Sequence, residues 1–290
     1  MSATGRLGGR LGATLRGMIS RPSGAIGVAL VAAHVVLALV SPWIAPYDFK
    51  AVSAAMILDP PNAAHWLGTD QLGRDVLTRT IMGGRQAMLV TLIATPVAVA
   101  WGGMLGIHLG LVGGRLDDVV MRIVDAFLSL PWILKMLLMI VTFGAGIGVL
   151  VPVLAFFYGI PVIRIARAAT HGVVARDFVL AARARGHGRL SIIRRELLPN
   201  VLDALLVEGA MRWSWMLLAF TSLSFLGFGV SPPTPDWGLM VADSRTYLPI
   251  APWAGLYPIL FLSTLIIGIN LTADALAKTL GVDKAQKAPI

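Results

Sequence analysis

The chain has 290 residues, 57% hydrophobic and 13% charged, with mean hydropathy +0.78 and a formal charge of +9. Soluble domains carry a charged fraction of roughly 25%, so the composition excludes an ordinary soluble domain and describes an all-helical, polytopic membrane protein. There is no cysteine, which excludes disulfides, thiolate metal sites and a cysteine nucleophile.

Six apolar stretches approach the ~20 residues that cross a bilayer core. Residues 1–24 form an N-terminal segment with Arg6, Arg10, Arg16, Arg21 and no acid. Arginines before an apolar run resemble a signal peptide. The run over 25–45 exceeds the ~7–15 residues of a cleaved h-region and is read as a retained first span that ends at prolines. Residues 46–86 follow as an extracytoplasmic segment. Within it Asp70 and Arg74, then Asp75 and Arg79, stand at i,i+4, which predicts a short helix laced by ion pairs. The competing reading makes Asp70, Arg74 and Asp75 a docking surface for a soluble partner.

A transmembrane core of five helices is expected over 87–275. Its second span, 87–112, is rich in glycine and alanine that suit close helix packing. The third, 119–143, and fourth, 149–165, are separated by the turn GAGIG. Ionisable residues inside spans are costly and therefore informative. Asp125 falls near one end of the third span and Lys135 deeper within it. Lys135 has three readings: it snorkels, pairs with an acid of a neighbouring subunit, or faces a pathway and favours an anionic group such as a peptide carboxylate. The fifth span, 202–226, carries Glu208 and Arg212 one turn apart, as a structural ion pair or as pathway residues. The loop 228–252 contains SPPTPDW, too proline-rich for a helix. Trp237 and Trp253 suit a membrane interface, and docking is the second reading of Trp237. The sixth span covers 254–271, and residues 276–290 form a tail.

Basic residues mark the cytoplasmic side of short loops. The loop 166–200 and its margin hold Arg164, Arg167, Arg176, Arg183, Arg185, Arg189, Arg194 and Arg195 against Asp177 and Glu196. The segments after spans one and five balance their charges. Both termini are therefore expected in the cytoplasm, and the basic excess reports topology rather than nucleic-acid binding.

No phosphate loop, HExxH or GxSxG is present. The histidines His34, His65, His108, His171 and His187 are scattered, with no pair at ligand spacing. Neither a catalytic site nor a metal site is expected, and any chemistry that the protein needs must come from a partner.

The stretch 177–200, DFVLAARARGHGRLSIIRRELLPN, is then legible as a mechanical element. Phe178, Ala181, Ala182 and Arg185 recur at one face of a short helix, and small alanines allow close approach of another surface. Gly186 and Gly188 break the helix. A second pattern, Leu190, Ile193, Leu197, runs to Pro199, where the chain is expected to turn toward the fifth span. The competing reading is an interfacial amphipathic loop.

Ala181, Ala182 and Gly186, followed by Leu198 and Pro199, resemble the coupling motif of permease subunits in ATP-binding-cassette importers. Leu180 stands where that family carries a leading glutamate, so docking here would lean on apolar contact and the surrounding arginines. HWLGTDQLGRDVLTRTIMGGRQ (65–86), MRIVDAFLSLPW (121–132), SLSFLGFGVSPPTPDWGLMV (222–241) and NLTADAL (270–276) are similar to segments of one branch, the second permease subunit of dipeptide, oligopeptide and nickel importers. The resemblance implies six helices per subunit in the type I importer permease fold, a homologous permease partner, two ATPase subunits that bind ATP and Mg, and an extracytoplasmic binding protein. It also implies alternating access driven through the coupling helix, with no cofactor on this chain. A secondary transporter would need an internal repeat and an ion-coupling site, and neither stands out. An intramembrane enzyme would need a nucleophile and base, and none is visible.

Overall fold

The computed structural model describes residues 12–282, and these contain helices and loops with one isolated bridge, Thr69 to Asp75. Arg6, Arg10 and the tail beyond 282 lie outside the described residues. After a helical stretch over 12–19 comes α1, Pro22–Ile44, opened by a proline where the missing N–H has no helical partner to lose. Helix α2, Val76–Val112, is 37 residues long and is capped by Asp75, whose carboxylate accepts from the Thr78 amide at 2.7 Å. It starts at Val76 rather than at 87, so the helix that carries the second span begins within the segment read as extracytoplasmic.

The expected third span is two helices, α3 (Gly114–Ser129) and α4 (Trp132–Phe143), bent by 89°. Pro131 is the cause. Its ring disfavours helical backbone at the residue before it, and Leu130 is extended. The GAGIG turn falls where expected, with Gly144 and Gly146 at φ 91° and 133°, angles that side chains resist. Helix α5, Ile147–Val174, runs beyond the expected limit of 165 and takes in Arg167. Then come α6 (Asp177–Ala184), a single turn (Arg189–Ile192), a π-helical segment (Ile193–Leu197), α7 (Leu198–Phe225), α8 (Trp237–Ser244) and α9 (Trp253–Leu280).

Four of these helices (α1, α2, α5 and α9) are long and apolar enough to cross a membrane, and the bent pair makes up to five. Helix α7, expected as a span, is not among them, because it carries Asp203, Glu208 and Arg212.

The tightest packing joins α2 to α5. Gly102, Gly106 and Gly110 recur every fourth residue along one face of α2, and methyls added there would stand 2.3 Å from the Gly159 carbonyl, 2.4 Å from that of Ile163 and 2.7 Å from Thr170 Cβ. Only glycine lets the two backbones approach so closely, which is how helices associate where lipid is as apolar as leucine. Trp101 closes the seam, lying against Gly159 and donating its indole N–H to the Ala155 carbonyl at 2.9 Å. A second close contact joins α1 to α9 through Gly27 and Gly268, beside which His34 Nε2 stands 3.1 Å from the Phe261 carbonyl. That histidine is a packing residue.

Candidate coupling element and transport cleft

Residues 177–200 stand at the end of the bundle where α5 finishes and α7 begins. Helix α6 touches the rest of the molecule through Val179 and Ala182, both fully buried, while Phe178, Leu180, Ala181 and Arg185 remain open to solvent. The four residues expected on one face are thus split: Ala182 packs into the chain's own core, and the open face is Phe178, Leu180 and Ala181. Gly186 ends the helix in a left-handed conformation, φ 78°. The second pattern also divides, with Ile193 and Leu197 buried and Leu190 exposed. No turn occurs at Pro199. Leu198 donates its amide five residues back to Ile193, and this π-helical spacing carries the chain through the proline into α7 without a break. Arg176, Arg183, Arg185, Arg189, Arg194 and Arg195 are exposed, and none takes part in an ion pair among the described residues.

A clamp that the sequence did not suggest lies just inside this end. Asp117, in the first turn of α3, is gripped by Arg167 of α5 through Nε and Nη2, each at 2.5 Å. The pair is 50 residues apart in sequence, so local spacing could not find it. The only local signal was an acid at a helix start, where it suits the dipole. Asp125 meets Arg164 at 3.5 Å, but both side chains are more than half exposed, and the contact adds little.

Deeper in the bundle, a cleft of about 510 Å³ opens between the broken pair, α5 and α7. Trp132, Phe157, Tyr158 and Trp215 wall it, and Lys135 and Arg212 supply its charge. Lys135 does have a partner: Nζ donates to the Phe127 carbonyl at 2.7 Å and lies 5.5 Å from the centre of the Phe157 ring. It therefore bridges the 89° break and caps one of the last carbonyls of α3. Arg212 Nε donates to Glu208 at 2.5 Å, as the one-turn spacing anticipated. Tyr158 donates its hydroxyl to the Trp215 carbonyl at 3.1 Å.

The far end of α7 lies about 40 Å from its start at Leu198, at ~1.5 Å per residue, and there the side chains proposed for docking are buried. Asp70, Arg74 and Asp75 are each 6% exposed and Trp237 is 2% exposed. The expected short helix is instead a turn, in which Asp70 accepts from the amides of Leu72 and Arg74 and from Arg74 Nε at 2.6 Å. Asp75 caps α2 and accepts from His65 Nδ1 at 2.8 Å, so Arg79 turns to Asp70 at 3.6 Å rather than to Asp75. Arg79 also donates to the carbonyls of Phe49 and Pro233. Trp237 is a wedge, not an interface anchor: it lies on Gly83 and Gly84 and donates to the Thr80 carbonyl at 2.8 Å. Trp253 likewise donates to the Thr69 carbonyl, at 3.1 Å. Asp236 caps α8 through the amides of Gly238 and Leu239, and burial pushes its carboxyl up to about 6.

Residues 102–282 match the family described as binding-protein-dependent transport system inner membrane component. The chain is 35% identical to the di/tripeptide transport system permease protein DppC of Pseudomonas aeruginosa, over 89% of this chain and 87% of that one. It is 33% identical to the nickel transport system permease protein NikC of Escherichia coli, over 89% and 93%, and 33% identical to the dipeptide transport system permease protein DppC of Bacillus subtilis, over 84% and 77%.

Proposed function

Since the chain belongs to the family of binding-protein-dependent transport system inner membrane components and is a permease subunit of an ATP-binding-cassette importer, we propose that residues 177–200 are the element through which its partner ATPases drive it. The carrying observation is the exposed face of α6. Phe178, Leu180 and Ala181 are left uncovered beside six exposed arginines, on a helix held by Val179 and Ala182 alone. Leu180, 49% exposed where the family has a glutamate, suits an apolar contact there. In this reading the end bearing α6 faces the cytoplasm, a homologous permease completes the pathway, and two ATPase subunits hold ATP and Mg. This chain does no catalysis of its own. A binding protein delivers a peptide or a nickel complex at the opposite end. ATP binding draws the coupling helices together and opens the pathway outward; hydrolysis resets it.

The test is to co-express the chain with its neighbouring subunits and compare the wild type with Phe178→Asp plus Ala181→Asp. Both positions are exposed, so the chain itself should still fold. Loss of ATPase co-purification, or at least a tenfold loss of ATP-dependent uptake, is the expected result; undisturbed coupling rejects the assignment. Because the chain has no native cysteine, single cysteines at Ala181 and Thr234 labelled by a membrane-impermeant thiol reagent test the orientation separately. Labelling of Ala181→Cys in intact cells would reverse it.

A further inference from the structure

The cleft between the broken pair, α5 and α7 is lined by two cations, Lys135 and Arg212, and only one of them has an acid. Arg212 is neutralised by Glu208, whose carboxylate it holds at 2.5 Å. Lys135 is not neutralised. It meets a backbone carbonyl at 2.7 Å and an aromatic ring at 5.5 Å, and no carboxylate stands within ion-pair distance of it among the described residues. One positive charge is thus left over, in a site walled by Trp132, Phe157, Tyr158 and Trp215.

An ammonium has three N–H donors, and the Phe127 carbonyl takes one. Arg212 gives Nε to Glu208, which leaves its terminal nitrogens to serve a ligand. Tyr158 is already committed to the Trp215 carbonyl. Apart from the indole N–H groups of Trp132 and Trp215, the donors left in the cleft are those of its two cations, and apolar walls strengthen the field that these exert. A carboxylate entering here exchanges hydration for charge-assisted hydrogen bonds. A bare divalent cation meets repulsion. The volume, about 510 Å³, lies in the range of small-molecule sites, roughly 300–1,000 Å³.

We infer that this cleft is a carboxylate-recognising subsite, with Lys135 as its principal contact and Arg212 beside it, and that the solute moved by this chain carries a free carboxylate. The inference rests on the permease reading and narrows it. Between the two solute types named for its relatives, a peptide with a free C-terminus fits, and aquated nickel does not. Nickel held in a carboxylate-bearing chelate would present the same chemistry.

The test uses the assembled importer with its binding protein, reconstituted in liposomes. ATP-dependent uptake is measured for a dipeptide with a free C-terminal carboxylate and for the same dipeptide amidated, with aquated nickel and nickel citrate as further probes. The same binding protein serves every permease variant, so its own preference cancels when selectivity ratios are compared. Lys135→Met is expected to lower the free-acid to amide ratio about tenfold, the scale of one charge-assisted contact at ~1.4 kcal/mol per factor of ten. Lys135→Arg is expected to restore the ratio to within about threefold. A purely structural role for Lys135 predicts that uptake of both peptides falls together with the ratio fixed, and that result overturns the inference. So does a wild type that imports aquated nickel and refuses both carboxylate-bearing probes. If the wild type shows no ATP-dependent uptake of any probe and no ATPase co-purifies, the permease reading itself fails.

Discussion

The two ends of α7 handle charge in opposite ways. At the far end Asp70, Arg74, Arg79 and Asp243 meet one another within 3.7 Å, and Arg79, 1% exposed, satisfies itself further on two carbonyls. At the near end six arginines stand exposed with no ion pair among the described residues. Both stretches were expected to hold short helices, the first with its charges balanced and the second strongly basic. The difference is that the first group finds its acids within the chain, and the second leaves its charge to solvent. A closed network belongs to the stability of the subunit; an open one is available to the docking proposed above.

The sharpest way to break that comparison is at Asp70. Asp70→Ala would leave Arg74 and Arg79 buried without their shared acid, and removing one partner of a buried pair costs about 3–5 kcal/mol. We expect trypsin to cut within 45–75 in the variant and not in the wild type, at a protein concentration where both remain folded in detergent. Next comes a pair of neighbours at the near end. Ala182→Asp buries a charge at a position with no exposure and should cost about 3 kcal/mol, whereas Ala181→Asp, one residue away, should stay within about 0.5 kcal/mol of the wild type. Equal melting temperatures for the two would refute the burial pattern of α6.

A smaller effect is set by pH. Asp236 is held near 6, above its ordinary 3.8, by burial. The folded state therefore binds the proton more tightly than the unfolded state, and this contribution to stability is lost as pH rises from about 4 through about 6. Acidifying from pH 7 to pH 5 should raise the amide protection factors in 226–252, taken relative to the intrinsic exchange rate at each pH, by the equivalent of about 1 kcal/mol, and Asp236→Asn should abolish that rise while keeping the helix cap. Smallest of all, Arg183→Gln with Arg185→Gln should leave the melting temperature of the isolated chain within ~0.5 kcal/mol while weakening ATPase retention. A large loss of stability instead would mean that these arginines serve the chain's own fold.

The long helices were legible because apolar runs of span length have few other uses, and the GAGIG break because three glycines in five residues interrupt a helix. The bend at Pro131 was missed although the proline was in view. Hydrophobicity continues through it, and a run of apolar residues hides a change of direction. The helical start at Val76 was missed for the converse reason. Arg79 and Arg85 made 76–86 look like a solvent-exposed segment, and only the tertiary acid at Asp70 lets Arg79 be buried. Among site residues, one-turn spacing revealed Glu208 and Arg212. The Phe127 partner of Lys135 could not be read, since a backbone carbonyl has no letter in a sequence. Nor could spacing reveal that Ala182 faces in and Ala181 out.

The glycine seam between α2 and α5 also bears on how force would travel. Two helices in backbone contact at Gly102, Gly106 and Gly110 cannot slide or roll without collision, so together they act as a single beam. Only Ala175 and Arg176 separate the end of α5 from α6. A load applied to α6 enters that beam at its tip and reaches its other end with little loss. Compliance is left to helices joined without such a seam, as at the 89° break between α3 and α4, where Lys135 reaches across to the Phe127 carbonyl.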